Sequence, residues 1–250
     1  MKVKKIAVLL LLVSCCRLTP ALAQGTEKQQ ARMVLQSMSD RYKSYRNLSF
    51  TIAYKYAAED RPGVYLDSLK GTLKISGDRY KYVLDSTEFI ESKDWAVILF
   101  KKDRILFLAK PSATSQTANP LALLDSLVWK NDNVDCRLET SKEEQKVIIS
   151  FQPGMTTKRI EYTIDRKSGM IVRMVNIVQS RQLYEHSIQS RIEDASSYAI
   201  VETDFSNYRE ETFEEGELDP GRYFKKQDGR YVTLAPYESY KIFLGTPDLK

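Results

Sequence analysis

The sequence predicts a mainly β protein, an antiparallel meander of about eleven strands with two helical elements. Apolar and polar residues alternate with a period of two over most of the chain after residue 47. Short, turn-rich segments separate the alternating runs, as expected when consecutive strands pair with each other. Helical periodicity is confined to two stretches, so the alternation of strands and helices that is typical of parallel sheets is not present.

The chain begins with an export signal. Three lysines within the first five residues precede an apolar run over residues 6–16, a length typical of signal peptides and too short for a membrane span. Two cleavage sites overlap in it: Ala21-Leu22-Ala23 would release a protein that starts at Gln24, whereas residues 12–15 form a lipobox that would make Cys15 a lipid-bearing first residue. We predict that residues 1–23 are a signal peptide and that residues 24–250 form a single mature domain in the periplasm. The alternative is an outer-membrane lipid anchor at Cys15.

The charge of the mature chain is close to neutral. The sequence has 38 Lys and Arg residues and 33 Asp and Glu residues, and four of the basic ones lie in the signal segment. A nucleic-acid partner would require a basic patch or stripe, which this composition does not indicate. We therefore expect no nucleic-acid binding.

The first mature element is an amphipathic helix that ends near Asn47. Its apolar residues recur at spacings of three and four, namely Ala31, Val34, Leu35, Met38, Tyr42 and Tyr45. Alternating runs then start at 50–56 and 69–75 and continue through 170–178, with weaker runs up to residue 244. Turns are predicted at Gly77-Asp78 and at 165–169. A C-terminal hairpin extension is predicted over about 208–250, with its turn at Asp228-Gly229. Within it, the acidic run 208–221 is predicted to be a solvated loop.

Two neighbouring strands, 94–100 and 104–109, are apolar on both faces. In the first of them Ala96, Ile98 and Phe100 point to one side, and Trp95, Val97 and Leu99 to the other. A second helix at 119–129, with Asn119 as N-cap and Pro120 at its first position, could cover one side. A sheet with this much apolar surface must curl, and it then encloses either a plain core or a cavity. Both alternatives stay open, and the candidate lining residues are Phe50, Trp95, Ile98, Phe100, Phe107, Leu121 and Leu124.

No catalytic constellation is recognisable. The mature chain has none of the common nucleophile, zinc-protease or phosphate-loop motifs, and its single histidine, His186, cannot form a pair of metal ligands. Cys136 is the one cysteine left after cleavage at Ala23, and we expect it to be a buried strand residue. The sequence therefore predicts a protein without enzymatic activity, metal or cofactor.

The order of elements resembles the outer-membrane lipoprotein carrier family (LolA-like), in the divergent form found in Bacteroidetes-type bacteria. The likeness spans about residues 25–207 and is carried by "ARMVLQSMSDRYKSYRNLSF", "GTLKISGDRYKYVL", "FIESKDWAVILF", "NPLALL" and "IEYTIDRKSGMIVRM". The sequence departs from the family where Ser92-Lys93-Asp94 replaces the usual Asp-Gly before Trp95, and the C-terminal hairpin is an addition.

The resemblance implies a fold and a function. The fold is an incomplete, curved antiparallel β-barrel with lid helices, and the function is a periplasmic carrier that shelters the acyl chains of lipoproteins or other lipids. The implied partners are those acyl chains, an inner-membrane loading complex and an outer-membrane acceptor. The alternative is a non-enzymatic structural or adaptor module of the envelope, whose aromatic C-terminal hairpin docks onto a partner.

Overall fold

A computed structural model describes residues 20–111, 134–183 and 198–246. Its one described α-helix is α1 (Pro20–Lys43), and two short 3-10 helices lie at Ser180–Gln182 and Pro220–Arg222. The strands are β1 (Asn47–Ala58), β2 (Tyr65–Ser76), β3 (Arg79–Leu84), β4 (Thr87–Glu91), β5 (Ala96–Phe100), β6 (Ile105–Ala109), β7 (Asp135–Thr140), β8 (Glu144–Ser150), β9 (Thr157–Asp165), β10 (Ile171–Gln179), β11 (Tyr198–Glu210), β12 (Phe224–Gln227), β13 (Arg230–Thr233) and β14 (Lys241–Leu244).

Twelve of these strands form one curved sheet with β1 near its centre. From β1 the chain steps outward strand by strand to β6, and on the other side β11 to β7 follow in reverse order. The two ends do not meet, so the sheet is an incomplete barrel, as predicted. One strand departs from the predicted antiparallel meander: β14 pairs in parallel with β6 and forms the outer edge there.

The helix α1 packs on the half of the sheet formed by β7 to β10. Ala31, Leu35 and Met38 recur at helical spacing and are at most 4% exposed. They contact a cluster of buried strand residues that comprises Val134, Cys136, Val147, Ile149, Tyr162, Ile164 and Ile171. Burial of the Leu35 side chain alone contributes roughly 2 kcal/mol. We call the side of the sheet on which α1 lies the helix face, and the other side the outer face.

Both ends of α1 differ from the prediction. The helix already begins at Pro20, within the predicted signal segment, because Pro suits a first helical position and Ala21-Leu22-Ala23 continues the helical pattern. It ends at Lys43, and Arg41 and Lys43 in its last turn complement the helix dipole. Next to this end, the hydroxyl oxygens of Tyr42 and Tyr208 lie 2.6 Å apart and link α1 to the sheet.

The outer face of β4 to β6 is covered by the end of the chain. Residues 219–246, which we call the C-terminal cover, place Tyr223 and Phe224 against the sheet at 0% and 6% exposure. Beneath them lie Ile90, Val97, Leu99, Leu106 and Leu108, each fully buried. The strands β12 and β13 form the predicted hairpin, whose turn residues Asp228 and Gly229 have φ of 49° and 76°.

Several expectations for loops need correction. The strand β4 was not predicted, because Glu88 and Glu91 are acidic yet buried, which hides the alternation. The acidic run 208–221 is not all loop, since β11 extends to Glu210. Predictions for residues 119–129 and 184–192 and for His186 lie outside the described residues. Cys136 is a buried strand residue, as predicted, and burial raises the pKa of its thiol to about 11.

Strands β2 and β3 approach each other closely at a glycine. A Cβ atom added to Gly71 would clash with the carbonyl oxygen of Val83. No other residue type leaves room for so close an approach of two backbones. Gly71 thereby allows β2 to pair with β3 at this position.

Candidate functional site

A continuous row of apolar side chains crosses the helix face from β1 to β14. Because opposite residues of paired strands point to the same face at a spacing of about 5 Å, the strand registers define this row directly. We call it the apolar row, and its members are Phe50, Leu73, Tyr82, Phe89, Ile98, Phe107 and Phe243.

The apolar row becomes more accessible toward the β14 edge. Phe50, close to α1, is 4% exposed, whereas Phe243 at the far end is 49% exposed. Ile98 and Phe107 between them are half-buried. Phe100, in the neighbouring row with Ile105, is 37% exposed. Large apolar groups are thus left in contact with solvent on this face, whereas the outer face of the same strands is filled.

The structure brings four of the predicted lining residues together and separates one. Phe50, Ile98 and Phe107 belong to the apolar row, and Phe100 lies beside it. Trp95 packs on the outer face instead, with ring centroids 4.9 Å from Phe224 and 5.6 Å from Tyr231. The remaining candidates, Leu121, Leu124 and Cys15, lie outside the described residues.

Four members of the apolar row were not proposed from the sequence: Leu73, Tyr82, Phe89 and Phe243. Three of them lie at alternating positions of predicted strands, so the period-two pattern was the signal that could have found them. Phe89 lies in the strand that was not predicted. Consecutive strands place Leu73, Tyr82 and Phe89 side by side, and only Phe243 joins the row through a strand that is distant in sequence.

The helix face also carries neutral polar side chains near its centre. Thr203 is 1% exposed, and its hydroxyl oxygen has no hydrogen-bond partner in the structure. The Asn176 side-chain oxygen is likewise buried without a partner. Burial raises the pKa of Tyr82, and the nearby Tyr54 hydroxyl raises it further. At Tyr80, burial also raises the pKa, and the adjacent Glu91 carboxylate adds to this effect.

On the outer face, a buried carboxylate joins the sheet to the C-terminal cover. Glu88 forms ion pairs with Lys81 at 2.9 Å and Lys101 at 2.8 Å, and it accepts a hydrogen bond of 2.5 Å from the Tyr223 hydroxyl. Burial by itself would raise the pKa of Glu88, but these hydrogen bonds outweigh it and lower the pKa to about 2. The cluster is therefore charged and fully paired at neutral pH, which suits a structural role.

Two further pockets are surface depressions with polar linings. One, of about 610 Å³, lies between Arg46, Arg79 and the acidic segment around Glu214. The other, of about 720 Å³, lies beside the β12–β13 hairpin. Neither includes a member of the apolar row.

Residues 20–111, 134–183 and 198–246 contain neither a candidate metal site nor a candidate membrane-spanning helix. No group of three or more His, Cys, Asp or Glu side chains is arranged to hold a metal ion there. The same residues include no helix with the length and apolar character of a membrane span.

Comparison with solved structures gives matches over most of the chain at low sequence identity. An uncharacterised conserved protein from Thermus thermophilus matches with a TM-score of 0.49 and 10% identity, over 86% of this chain and 99% of that one. A LolA superfamily protein from Nitrosomonas europaea matches with a TM-score of 0.37 and 8% identity, over 76% and 98%. The lipoprotein LppX from Mycobacterium tuberculosis matches with a TM-score of 0.36 and 13% identity, over 74% and 98%.

Comparison of sequences gives no match. No protein-family model matches the chain, and no curated protein does. The fold, an incomplete curved sheet with an N-terminal helix, is the one that the sequence predicted.

Proposed function

We propose that this protein is an exported, non-enzymatic carrier that shelters the acyl chains of lipoproteins or other lipids against the apolar row. The observation that carries the proposal is the contrast between the two faces of β4 to β6. The outer face is closed by the C-terminal cover, whereas Phe100 and Phe243 on the helix face remain 37% and 49% exposed. An apolar surface of this extent on one side of a curved sheet is typical of a binding site for hydrocarbon.

The energetics suit a reversible carrier. Each methylene group removed from water contributes about 0.8 kcal/mol, so a single acyl chain along the row could supply most of the binding free energy. The site offers little charge to hold a ligand more tightly, because the members of the apolar row are all uncharged. Release to an acceptor then requires only that the acceptor shield the chain equally well.

The export signal in the sequence supports a periplasmic location for such a carrier. A periplasmic carrier exchanges its cargo with a loading complex at the inner membrane and an acceptor at the outer membrane. Cleavage after Ala23 fits this role, because the carrier must leave the membrane to cross the periplasm. An anchored form that begins at Cys15 would instead act as an acceptor.

The adaptor alternative is weakened by the packing of the C-terminal hairpin. That alternative needs the aromatic side chains of the hairpin for contact with a partner. In the structure Phe224 and Tyr231 contact Trp95, and Tyr223 is fully buried against β4 to β6. These side chains stabilise the protein itself, so the hairpin offers little aromatic surface for docking.

Lipid binding by paired variants tests the proposal. The purified mature protein should bind a fluorescent fatty-chain probe such as 1-N-phenylnaphthylamine, and native mass spectrometry should detect co-purified lipid. The double variant Phe100→Asp, Phe243→Asp places two charges on the apolar surface and should lower probe affinity at least tenfold. Its free energy of unfolding should fall by only about 1 kcal/mol per substitution, because both side chains are partly exposed.

Val64→Asp is the matched control for this experiment. Val64 is 59% exposed and lies in the loop before β2, away from the apolar row, so probe affinity should stay at the wild-type value. Equal loss in the control and the double variant would show that the probe binds exposed apolar residues without regard to the site. Wild-type protein that binds neither probe nor lipid would contradict the proposal.

A further inference from the structure

Four neutral polar side chains of the helix face lie in one line that meets the apolar row. Thr203 on β11 is opposite Tyr54 on β1, and Asn176 on β10 is the diagonal neighbour of Thr203. The Tyr54 hydroxyl in turn lies close to that of Tyr82, which belongs to the apolar row. We call these four residues, Asn176, Thr203, Tyr54 and Tyr82, the polar track.

The polar track has hydrogen-bonding capacity that the protein does not use. Among the described residues, the buried oxygens of Thr203 and Asn176 have no hydrogen-bond partner, and the Tyr82 hydroxyl has only the Tyr54 hydroxyl close to it. An unpaired buried polar atom destabilises a protein by about 1–3 kcal/mol, so native structures seldom retain several of them together. Apolar replacements of the same shape, such as Val for Thr, would avoid this cost. The polar groups here indicate a partner that residues 20–111, 134–183 and 198–246 do not provide.

The charge of the track limits what that partner can be. Its four side chains are neutral, and no Lys or Arg belongs to it, so a buried carboxylate or phosphate would lack a counter-ion. The nearest acidic residue along the sheet, Glu91, is only 3% exposed and would repel an anion. A hydrocarbon chain alone could not satisfy the track either, because it has no donor or acceptor.

A neutral carbonyl attached to a hydrocarbon chain suits the polar track, because it carries no charge and can accept hydrogen bonds. The hydroxyl groups of Thr203 and Tyr82 and the amide of Asn176 can each donate a hydrogen bond to a carbonyl oxygen, while the Asn176 oxygen can accept one from a glycerol hydroxyl. We infer that the polar track is a subsite for the acyl ester groups of a diacylglyceryl lipid, whose chains extend along the apolar row. This inference rests on the proposed carrier function and specifies its ligand.

Matched ester and ether lipids test the inference. 1,2-Dioctanoylglycerol and the corresponding dioctyl ether have similar chain lengths, but only the first has ester carbonyls. In displacement of 1-N-phenylnaphthylamine, the wild-type protein should bind the ester about tenfold more tightly, as expected for one or two additional hydrogen bonds. Octanoate should displace the probe less well than the ester, because its carboxylate finds no cation in the track.

Variants of the polar track test which side chains cause the preference for the ester. Thr203→Val and Asn176→Leu should lose the preference for the ester and retain the affinity for the ether, whereas Thr203→Ser should keep the preference. The melting temperature of Thr203→Val without ligand should equal or exceed that of the wild type, because an unpaired buried hydroxyl has been removed. A clear fall would show that the hydroxyl serves the fold, and it would overturn the inference.

The outcomes separate this inference from the proposed function. Wild-type protein that binds neither lipid contradicts the carrier function itself. Equal affinity for ester and ether overturns the polar subsite and leaves the carrier function intact. A diacylglyceryl-cysteine peptide and a short-chain phosphatidylglycerol, run in the same assay, both carry the required esters. Tight binding of either supports the inference, and the preferred one identifies the source of the diacylglyceryl group.

Discussion

The two halves of the sheet bury opposite faces. In the half formed by β7 to β10, α1 covers the helix face, and the outer face carries ion pairs such as Arg159–Glu161 at 2.8 Å. In the half formed by β4 to β6, the C-terminal cover closes the outer face, and the helix face exposes Phe100 and Phe243. Among the described residues, the face opposite the covering element therefore carries ion pairs in one half and exposed aromatic rings in the other.

This difference indicates where binding capacity lies. A charged face in water needs no cover, because its side chains are solvated. An exposed apolar face lowers the solubility of a protein, and such faces are typical of proteins that use them to bind a ligand or partner. The proposed function therefore places ligand contact on β4 to β6 and a structural role on β7 to β10, and the following three predictions test this division.

The largest effect on the free energy of unfolding is expected from substitutions of two adjacent residues of β5 whose side chains point to opposite faces. Leu99→Asp places a charge in the fully buried layer under the C-terminal cover and should destabilise the protein by more than about 4 kcal/mol. Phe100→Asp should cost about 1 kcal/mol, since Phe100 is 37% exposed. Chemical denaturation measures both values. Similar losses for the two variants would show that both faces of β5 are equally buried.

A smaller effect is expected from acid titration of Glu88. Its pKa is lowered from 4.5 to about 2, so the charged cluster stabilises the fold by about 3 kcal/mol above pH 4.5 and loses this contribution as the pH falls toward 2. Glu88→Gln should lower stability at pH 7 by a similar amount and flatten its dependence on pH between 4.5 and 2. Circular dichroism melts across this range provide the measurement.

Glu238→Gln serves as the control for this titration, because Glu238 is exposed and lies outside the Glu88 cluster. Its melting curves should follow those of the wild type at each pH. If Glu88→Gln also retained the wild-type dependence on pH, the cluster would not be the group that responds to acid.

The smallest effect is expected on the charged outer face of β7 to β10. Lys146→Gln removes an ion pair with Glu161 in which the charged atoms are 3.7 Å apart and Lys146 is 40% exposed. The change in unfolding free energy should be at most about 0.5 kcal/mol and should vanish in high salt. A loss above about 1.5 kcal/mol would show that this face is covered in the native protein, which would remove the contrast between the halves.

Much of the fold was predictable because apolar and polar residues alternate along its strands. The period-two pattern identified β1 to β3, β5 and β6, and glycine or aspartate marked the turns at Gly77 and Gly229. The pattern failed for β4, where the buried charges of Glu88 and Glu91 depend on partners elsewhere in the chain. It also could not show that β14 pairs in parallel with β6, because long-range register leaves no local signal.

The candidate site was predictable only in part, because it depends on contacts between elements that are distant in sequence. Alternation placed Trp95 and Phe100 on opposite sides of β5, but it could not indicate what covers each side. Residues 219–246 cover the side of Val97 and Leu99, and the helix expected as a cover at 119–129 lies outside the described residues. The polar track could not be recognised from sequence, because Asn176, Thr203 and Tyr82 meet only through strand pairing.

The parallel pairing of β14 with β6 has a consequence for the order in which the protein folds. The two strands come from distant parts of the chain, and a nearby hydrogen bond joins Lys110 to Thr246 across 136 residues. Closing so long a loop is slow, so β6 spends the early part of folding as an unprotected edge. Until β14 arrives, that edge is a hazard for aggregation, and a chaperone that shields extended strands would be most useful at this stage.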